Sequence, residues 1–234
     1  MMRRSSIADY RKQLALCIAL LGCVGLMAQS LPTRYTNGKD RVFFTLSHPI
    51  IIDMPSGYST QWYANEYNLQ LLMESRFGES IFSIGYGLGY TSSNFHHNLR
   101  IDSDPATGKE FYQFLPDTTS FRRNKLNTKI VEVPIEFRFR PRLGNGYSLR
   151  LYAGFKAGYI FEAYARYSDD KIKLDDYRLD DINPWVYGVY LKLGYRLFSI
   201  YGYYGLQPFF TGGDVNGQAL EGARQLSFGI SISG

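Results

Sequence analysis

Residues 147–167 read YSLRLYAGFKAGYIFEAYARY, and their order decides the fold. Every odd position is apolar or aromatic: Tyr147, Leu149, Leu151, Ala153, Phe155, Ala157, Tyr159, Phe161, Ala163, Ala165 and Tyr167. The even positions include Ser148, Arg150, Gly154, Lys156, Gly158, Glu162 and Arg166. A helix would spread each set around its surface, whereas a strand sends successive side chains to opposite faces and keeps the sets apart. Strands of soluble domains usually run about 3–10 residues. An alternation this long predicts a strand whose apolar face lies against something other than a compact soluble core.

The same period recurs on both sides. In Val131–Arg140 the odd positions are Val131, Val133, Ile135, Phe137 and Phe139, against Glu132, Pro134, Glu136, Arg138 and Arg140. Trp185–Leu197 carries Trp185, Tyr187, Val189, Leu191, Leu193, Tyr195 and Leu197 on one face. Phe82–Tyr90 sets Phe82, Ile84, Tyr86, Leu88 and Tyr90 against Ser83, Gly85, Gly87 and Gly89. Leu226, Phe228, Ile230 and Ile232 alternate with Ser and Gly, and Arg41–Ser47, Tyr67–Phe77 and Phe198–Leu206 complete eight segments with weaker phase. Long and short connectors alternate between them. Turns at Gly78-Glu79, Arg142–Gly146 and Leu197-Phe198 separate the 93–123 loop, the acidic loop Ser168–Asn183 and the Gly-rich Pro208–Ala223. A two-residue turn at Gly78-Glu79 would pair Tyr67 with Tyr90 and Met73 with Ile84. A five-residue turn at Arg142–Gly146 would set Glu132 opposite Lys156 and Glu136 opposite Tyr152.

The start of the chain is of another kind. Arg3, Arg4, Arg11 and Lys12 precede the uncharged run Leu14–Met27, which is too short to span a bilayer but suits the apolar region of a signal peptide. Residues 1–28 are therefore expected to be a cleaved signal peptide, 29–40 a periplasmic segment and 41–234 the folded domain. Leu20-Leu21-Gly22-Cys23 resembles a lipoprotein processing site, although Val24–Ala28 stays apolar where a polar tether belongs. Removal of residues 1–28 takes four basic residues and Asp9, so 26 basic and 21 acidic residues become 22 and 20. The net charge of +5 is thus partly the leader's, and nothing here calls for nucleic acid. Both cysteines, Cys17 and Cys23, leave as well.

An exported chain without disulfides, rich in Tyr and Gly, with eight alternating segments and alternating loop lengths, predicts an all-β protein. The specific expectation is an eight-stranded antiparallel up-and-down transmembrane β-barrel in the outer membrane. A soluble sandwich also alternates, but it would bury the apolar face and has no use for Tyr147, Tyr167, Trp185 and Tyr195 at strand ends.

Asn124-Lys125-Leu126, followed by Val131-Glu132-Val133-Pro134-Ile135-Glu136-Phe137-Arg138-Phe139-Arg140 and Ala153-Gly154-Phe155-Lys156-Ala157-Gly158-Tyr159, resembles the PorT-like small outer-membrane barrels of Bacteroidota-type bacteria. The likeness follows residues 40–234 in layout and is specific over about 124–160. It implies the barrel fold, an outer-membrane location and, for PorT itself, an accessory role in type IX secretion. The chain ends Ser231-Ile232-Ser233-Gly234, without the terminal aromatic that many such barrels carry.

Eight strands leave an interior just wide enough for side chains to fill. Glu132, Glu136, Arg138, Arg150, Lys156, Glu162, Lys192 and Arg196 are therefore expected to form a lumenal salt-bridged network. Arg138, Arg140, Arg142, Arg150 and Arg196 collect toward the short-turn end as a basic periplasmic rim. A rim-located lipid hydrolase would draw on Ser92, Ser93, His96 and His97, but no nucleophile motif surrounds them. A narrow porin conflicts with the bulk of the inward side chains. Asp102-Ser103-Asp104 before Gly108 is a poor calcium loop interrupted by Lys109, so no metal or cofactor is expected. The favoured expectation is a non-enzymatic barrel meeting outer-membrane lipid, with a protein partner at the extracellular loops or the periplasmic rim.

Overall fold

A computed structural model of the protein describes residues 41–78, 80–103, 110–116, 123–141, 149–169, 173–176, 179–195 and 197–234. The expected signal peptide and the 29–40 segment lie outside the described residues. Among the described residues there are thirteen strands and no helix: β1 (Val42–Ile52), β2 (Asn65–Arg76), β3 (Phe82–His96), β4 (Leu99–Ser103), β5 (Glu110–Phe114), β6 (Arg123–Phe139), β7 (Leu149–Ser168), β8 (Lys173–Asp176), β9 (Trp185–Tyr195), β10 (Phe198–Gly205), β11 (Asp214–Val215), β12 (Gln218–Ala219) and β13 (Arg224–Ser233).

Eight of these close on themselves in the order β1-β2-β3-β6-β7-β9-β10-β13, with β13 pairing back to β1, every contact antiparallel. Closure leaves no unpaired edge, which is what lets a sheet cross hydrocarbon. The short pieces β4, β5, β8, β11 and β12 stand at the long-loop end, which the alternation of connector lengths makes extracellular.

The outer surface is apolar to a degree that water would not tolerate. Leu46, Leu69, Val133, Ile135, Phe155, Leu191, Ile200, Phe228 and Ile230 are all well exposed, forming a band around the waist. Tyr67, Tyr90, Tyr159 and Trp185 border it on the loop side, and Phe77, Phe82, Tyr195 and Phe198 on the turn side. Tyr159 pairs with Trp185 across β7 and β9, their rings 5.2 Å apart. The two aromatic borders are girdles of the kind found at membrane interfaces.

The wall is not of even height. β9, β10 and β13 run 11, 8 and 10 residues, close to the roughly 9–11 that a bilayer needs, whereas β3, β6 and β7 run 15, 17 and 20. Above the girdle the tall strands obey the opposite rule of burial. Phe95, Leu126 and Ala165 turn apolar groups inward, while Ser92, Asn94, Lys125 and Lys129 face out. A barrel wall leaving the bilayer becomes a soluble β-sheet.

On β7 this inversion coincides with a bulge. Lys129 pairs with Glu162 but Ile130 pairs with Ile160, so Phe161 is an extra residue. The bulge reverses which positions of β7 face inward just where the rule of burial also reverses. Two reversals cancel, which is why the odd positions of 147–167 stay apolar throughout, although Leu149–Phe161 face lipid and Ala165 and Tyr167 face the interior.

Two registers differ from expectation by two residues. Leu69, not Tyr67, lies opposite Tyr90, and Met73 opposite Tyr86. The reversal spans the positions between Phe77 and Phe82, with Gly78 at φ +61° and Ser80 N donating to Phe77 O. Across β6 and β7, Glu132 lies opposite Gly158 and Glu136 opposite Gly154 rather than Lys156 and Tyr152. A slip of two leaves every side chain on its own face, so the inside and outside sets survive. At β9–β10, Tyr195 pairs with Phe198 across a two-residue turn.

Candidate functional site

The interior is built around glycines. Gly85 lies in register between Glu74 and Glu136, and Gly89 between Gln70 and Glu132. A Cβ on Gly85 would stand 2.6 Å from Arg138 Nε, one on Gly89 2.8 Å from Glu132 Cγ, and one on Gly154 2.3 Å from Tyr190 Cζ. Missing side chains on one strand thus make the space that long charged ones fill from the next.

What fills it is a continuous chain of ion pairs and hydrogen bonds. At the turn end Arg140 meets Glu74 at 2.6 Å, and Arg138 bridges Glu74 (3.2 Å) and Glu136 (2.6 Å). Glu136 also accepts from Lys192 Nζ at 3.1 Å and Tyr190 OH at 2.9 Å. Lys192 donates onward to Gln70 at 2.9 Å, and Gln70 to Glu132 at 3.1 Å. Glu132 takes Lys156 at 3.0 Å, Asn68 at 2.6 Å and Thr91 at 3.1 Å. Aromatic faces cover the remaining sides: Lys192 Nζ lies 3.8 Å from the Phe43 ring centre, Lys156 Nζ 4.3 Å from Tyr203, and Arg138 5.2 Å from Tyr152. Glu136, Arg138 and Lys192 have no exposed side-chain surface. Ions so placed are tolerable only because each is paired and hydrogen-bonded.

Higher up, Glu66 is fully buried and held by neutral donors, Ser47 Oγ at 2.8 Å, Ser93 Oγ at 2.7 Å and Gln225 Nε2 at 2.7 Å. Above it an apolar cap closes the mouth. Phe209 and Phe210, with Val215, Leu220 and Ala223, fold inward from the last long loop and meet Phe95, Leu99, Tyr112 and Ile182. Phe95 and Phe209 have ring centres 5.1 Å apart, a bridge joins Ile182 to Phe210, and Phe209 N donates to Ala223 O at 2.7 Å. Three separate loops share this small core. Phe95, Tyr112 and Phe114 of the 93–123 loop therefore pack over the barrel rather than out into the medium, whereas Phe111 is exposed and Phe121 lies outside the described residues.

Of the expected network, Glu132, Glu136, Arg138, Lys156 and Lys192 come together as one unit. Arg150 faces inward near the turn end, where its guanidinium bonds the Ser233 hydroxyl. Arg196 lies outside the described residues. Glu162 stands elsewhere: beyond the bulge it faces out, pairing with Lys129 at 2.8 Å where both are about a third exposed. The expected rim is likewise thinner than the sequence suggests. Arg138 is enclosed in the lumen and offers nothing at the rim, Arg140 is committed to Glu74, and Arg142 and Arg196 lie outside the described residues. Sequence reasoning passed over Glu66, Gln70, Tyr190 and Phe43. Glu66 immediately precedes Tyr67, where the legible alternation begins, and Phe43 is an apolar residue on the polar face.

The hydrolase candidates are not assembled. Ser93 gives its hydroxyl to Glu66, and His97 is buried against the Tyr58 ring at 5.8 Å, burial pulling its pKa down to about 4. Ser92 and His96 share the outer face, but four residues along a strand put them roughly 13 Å apart; His96 packs at a tilt against Tyr63, ring centres 4.7 Å apart. Asp102 is paired with Arg100 at 2.6 Å, and Asp104 and Gly108 lie outside the described residues. On the extracellular surface an open cleft of about 630 Å³ is lined by Glu110, Asp180, Asp181 and Asp214. There Tyr112 OH stands between Glu110 (2.5 Å) and Asp181 (3.1 Å), and burial raises the pKa of Glu110.

A closed eight-stranded barrel with an apolar belt, two aromatic girdles and a filled polar lumen defines an integral outer-membrane β-barrel protein. Residues 44–211 match the family model described as the outer membrane protein beta-barrel domain, and the chain belongs to that family. Among solved structures, the crystal structure of Ail, the attachment invasion locus protein of Yersinia pestis, is matched at 12% identity over 83% of this chain and 95% of that chain, with a TM-score of 0.33. No curated protein matches the sequence significantly.

Proposed function

We propose that this outer-membrane barrel conducts nothing and catalyses nothing, and acts as a structural or binding protein through the surfaces it presents at its ends. One observation carries this reading: among the described residues, the ion-paired lumen lies beneath a cap built from three extracellular loops, so side chains fill the route a solute would take. A site for chemistry would need a nucleophile beside its base, but Ser93 is bonded to Glu66, His97 packs on Tyr58, and Ser92 and His96, though on one face, are roughly 13 Å apart along the strand. The finer assignment, a secretion accessory of the PorT-like kind, rests on the segment 124–160 and would place the working contact on the loops or the periplasmic rim. At the rim, Arg140 and Arg150 are already engaged within the barrel, which favours the extracellular side. Purified full-length protein in planar bilayers should show no stable conductance. Discrete channels of uniform size would overturn the proposal and restore a porin.

A further inference from the structure

The tall side of the barrel exposes a wall that hydrocarbon does not cover. Above the girdle its outward rungs are Ser92–Lys129–Glu162, then Asn94–Asn127–Tyr164, then His96–Lys125–Arg166, with Arg123 at the top and Asn127 covered by its neighbours. Lys129 is the first outward residue of β6 after Val131, the last apolar one, so positive charge begins where the belt ends. Lys125 Nζ lies 3.3 Å from Asn94 Oδ1 and 5.6 Å from the Tyr164 ring centre, and the Arg166 guanidinium lies 5.6 Å from the same ring centre. Among the described side chains, Glu162 pairs with one of these cations, Lys129, at 2.8 Å.

An aromatic shelf adjoins the cations. Trp62 is 86% exposed, edge-on to Tyr63 at 5.7 Å, and Tyr63 leans on His96 at 4.7 Å. His96 is the register partner of Lys125, so shelf and charge form one surface. Trp62 and Tyr63 sit in a turn, Ala64 N donating to Gln61 O, that is held level with His96 by Gln61 N donating to His96 O. His96 stands six residues beyond Tyr90 of the girdle on β3, roughly 20 Å further along the strand, above the headgroup boundary where an interfacial anchor places its ring.

We propose that this wall binds the phosphorylated saccharide headgroup of the outer-leaflet glycolipid. Lys129, Lys125 and Arg123 meet its phosphate oxygens, and Trp62, Tyr63 and His96 stack on its sugar rings. Ammonium and guanidinium groups bond phosphate through charge-assisted hydrogen bonds. Basic residues next to a membrane gain from anionic headgroups over about a Debye length. The apolar face of a sugar matches an aromatic ring whose polar edge stays wet. Continuity with the lipid face selects a lipid over a soluble polyanion: a ligand reaching Lys129 already has its tails beside Val131 and Tyr90. The inference gives the surface-binding reading a ligand and rests on it, but its failure would leave the sealed lumen untouched.

The test uses the full chain in phosphatidylcholine nanodiscs doped with diphosphoryl lipid A, and measures the lipid A bound per barrel at rising lipid A content. The wild type should hold it at least ten-fold more tightly than the variant with Arg123→Gln, Lys125→Gln and Lys129→Gln. It should also hold dephosphorylated lipid A about as weakly as that variant holds the phosphorylated form. Trp62→Ala should weaken lipid A binding without changing retention of phosphatidylglycerol. Heat-modifiable gel migration checks that each variant is folded; should the triple variant fail it, Lys125→Gln alone carries the comparison. Equal retention by wild type and variant, full competition by phosphatidylglycerol, or binding of soluble heparin but not lipid A would each overturn the proposal.

Discussion

Removing the Glu136 carboxylate should cost the barrel about 3–5 kcal/mol, and removing that of Glu162 less than about 1, although the two alternate alike in the sequence. Glu136 accepts Arg138 Nε at 2.6 Å, Tyr190 OH at 2.9 Å and Lys192 Nζ at 3.1 Å, and both cations are fully enclosed. In Glu136→Ala, Arg138 keeps Glu74, but Lys192 is left with a neutral amide, Gln70, and the Phe43 ring. A buried charge deprived of its partner typically destabilises by about 3–5 kcal/mol. Glu162 and Lys129 meet in solvent with about a third of each side chain exposed, where pairs contribute about 0–1 kcal/mol. Urea unfolding in lipid vesicles, followed by loss of the heat-modifiable band, gives both values, with Glu136→Gln as the isosteric control. A cost for Glu162→Ala equal to that of Glu136→Ala, or a cost for Glu136→Ala below about 1 kcal/mol, would refute the lumenal ion chain.

On the lipid face, Phe155→Arg puts a charge midway between the girdles and should cost about 2–4 kcal/mol, read as impaired assembly in vesicles; assembly equal to wild type would mean the phase of β7 is wrong. Gly154→Ala drives a methyl group to within 2.3 Å of the Tyr190 ring, whereas nothing lies within 4 Å of a Cβ on lipid-facing Gly202. The first should lower the unfolding free energy by about 1–3 kcal/mol and the second should be tolerated in the same assay. The extracellular cap should loosen in acid because His97, buried neutral, has a pKa of about 4 against an ordinary 6.5. A depressed pKa stabilises above 6.5, and that stability is lost as pH falls from 6.5 towards 4, by at most about 3 kcal/mol. Glu110, raised by burial in the same cap, works in the opposite sense. Protease cleavage of the loops between pH 7 and 4 should therefore rise less in His97→Gln than in wild type.

The eight wall strands were legible because lipid on one side and a polar lumen on the other impose strict alternation, as in Val131–Phe139. That signal fades where the wall leaves the bilayer. Asn94, Phe95 and Lys125 belong to strands, yet their in–out rule is that of a soluble sheet, so β3 and β6 looked shorter and their loops longer than they are. Around Phe161 the failure is subtler: bulge and inversion cancel in the pattern, and Glu162 reads as lumenal when it faces out. Registers were wrong by two because turn length is set by backbone detail around Gly78, while face identity, which has period two, came through. The network's charged members were visible as residue types on one face. Their connection through Gln70, and the role of glycines in making room for Arg138 and Tyr190, depends on which residues lie opposite one another, and alternation alone does not carry that.

The two cysteines lie at positions 17 and 23, so a mature chain cut near residue 28 would be cysteine-free and open to single-cysteine scanning of β1 and β13. Ser47, Ser227 and Ser231 are buried and face inward, and Ser→Cys changes one atom at each; Leu46, Phe228 and Ile230 face outward on the same two strands. A membrane-spanning barrel with a sealed interior predicts that a water-soluble maleimide labels none of the six in intact vesicles. A lipid-soluble maleimide should label Leu46→Cys, Phe228→Cys and Ile230→Cys alone. Labelling of Ser47→Cys, Ser227→Cys or Ser231→Cys by the water-soluble reagent would contradict the sealed lumen, and its labelling of the outward three would contradict the membrane-spanning belt itself.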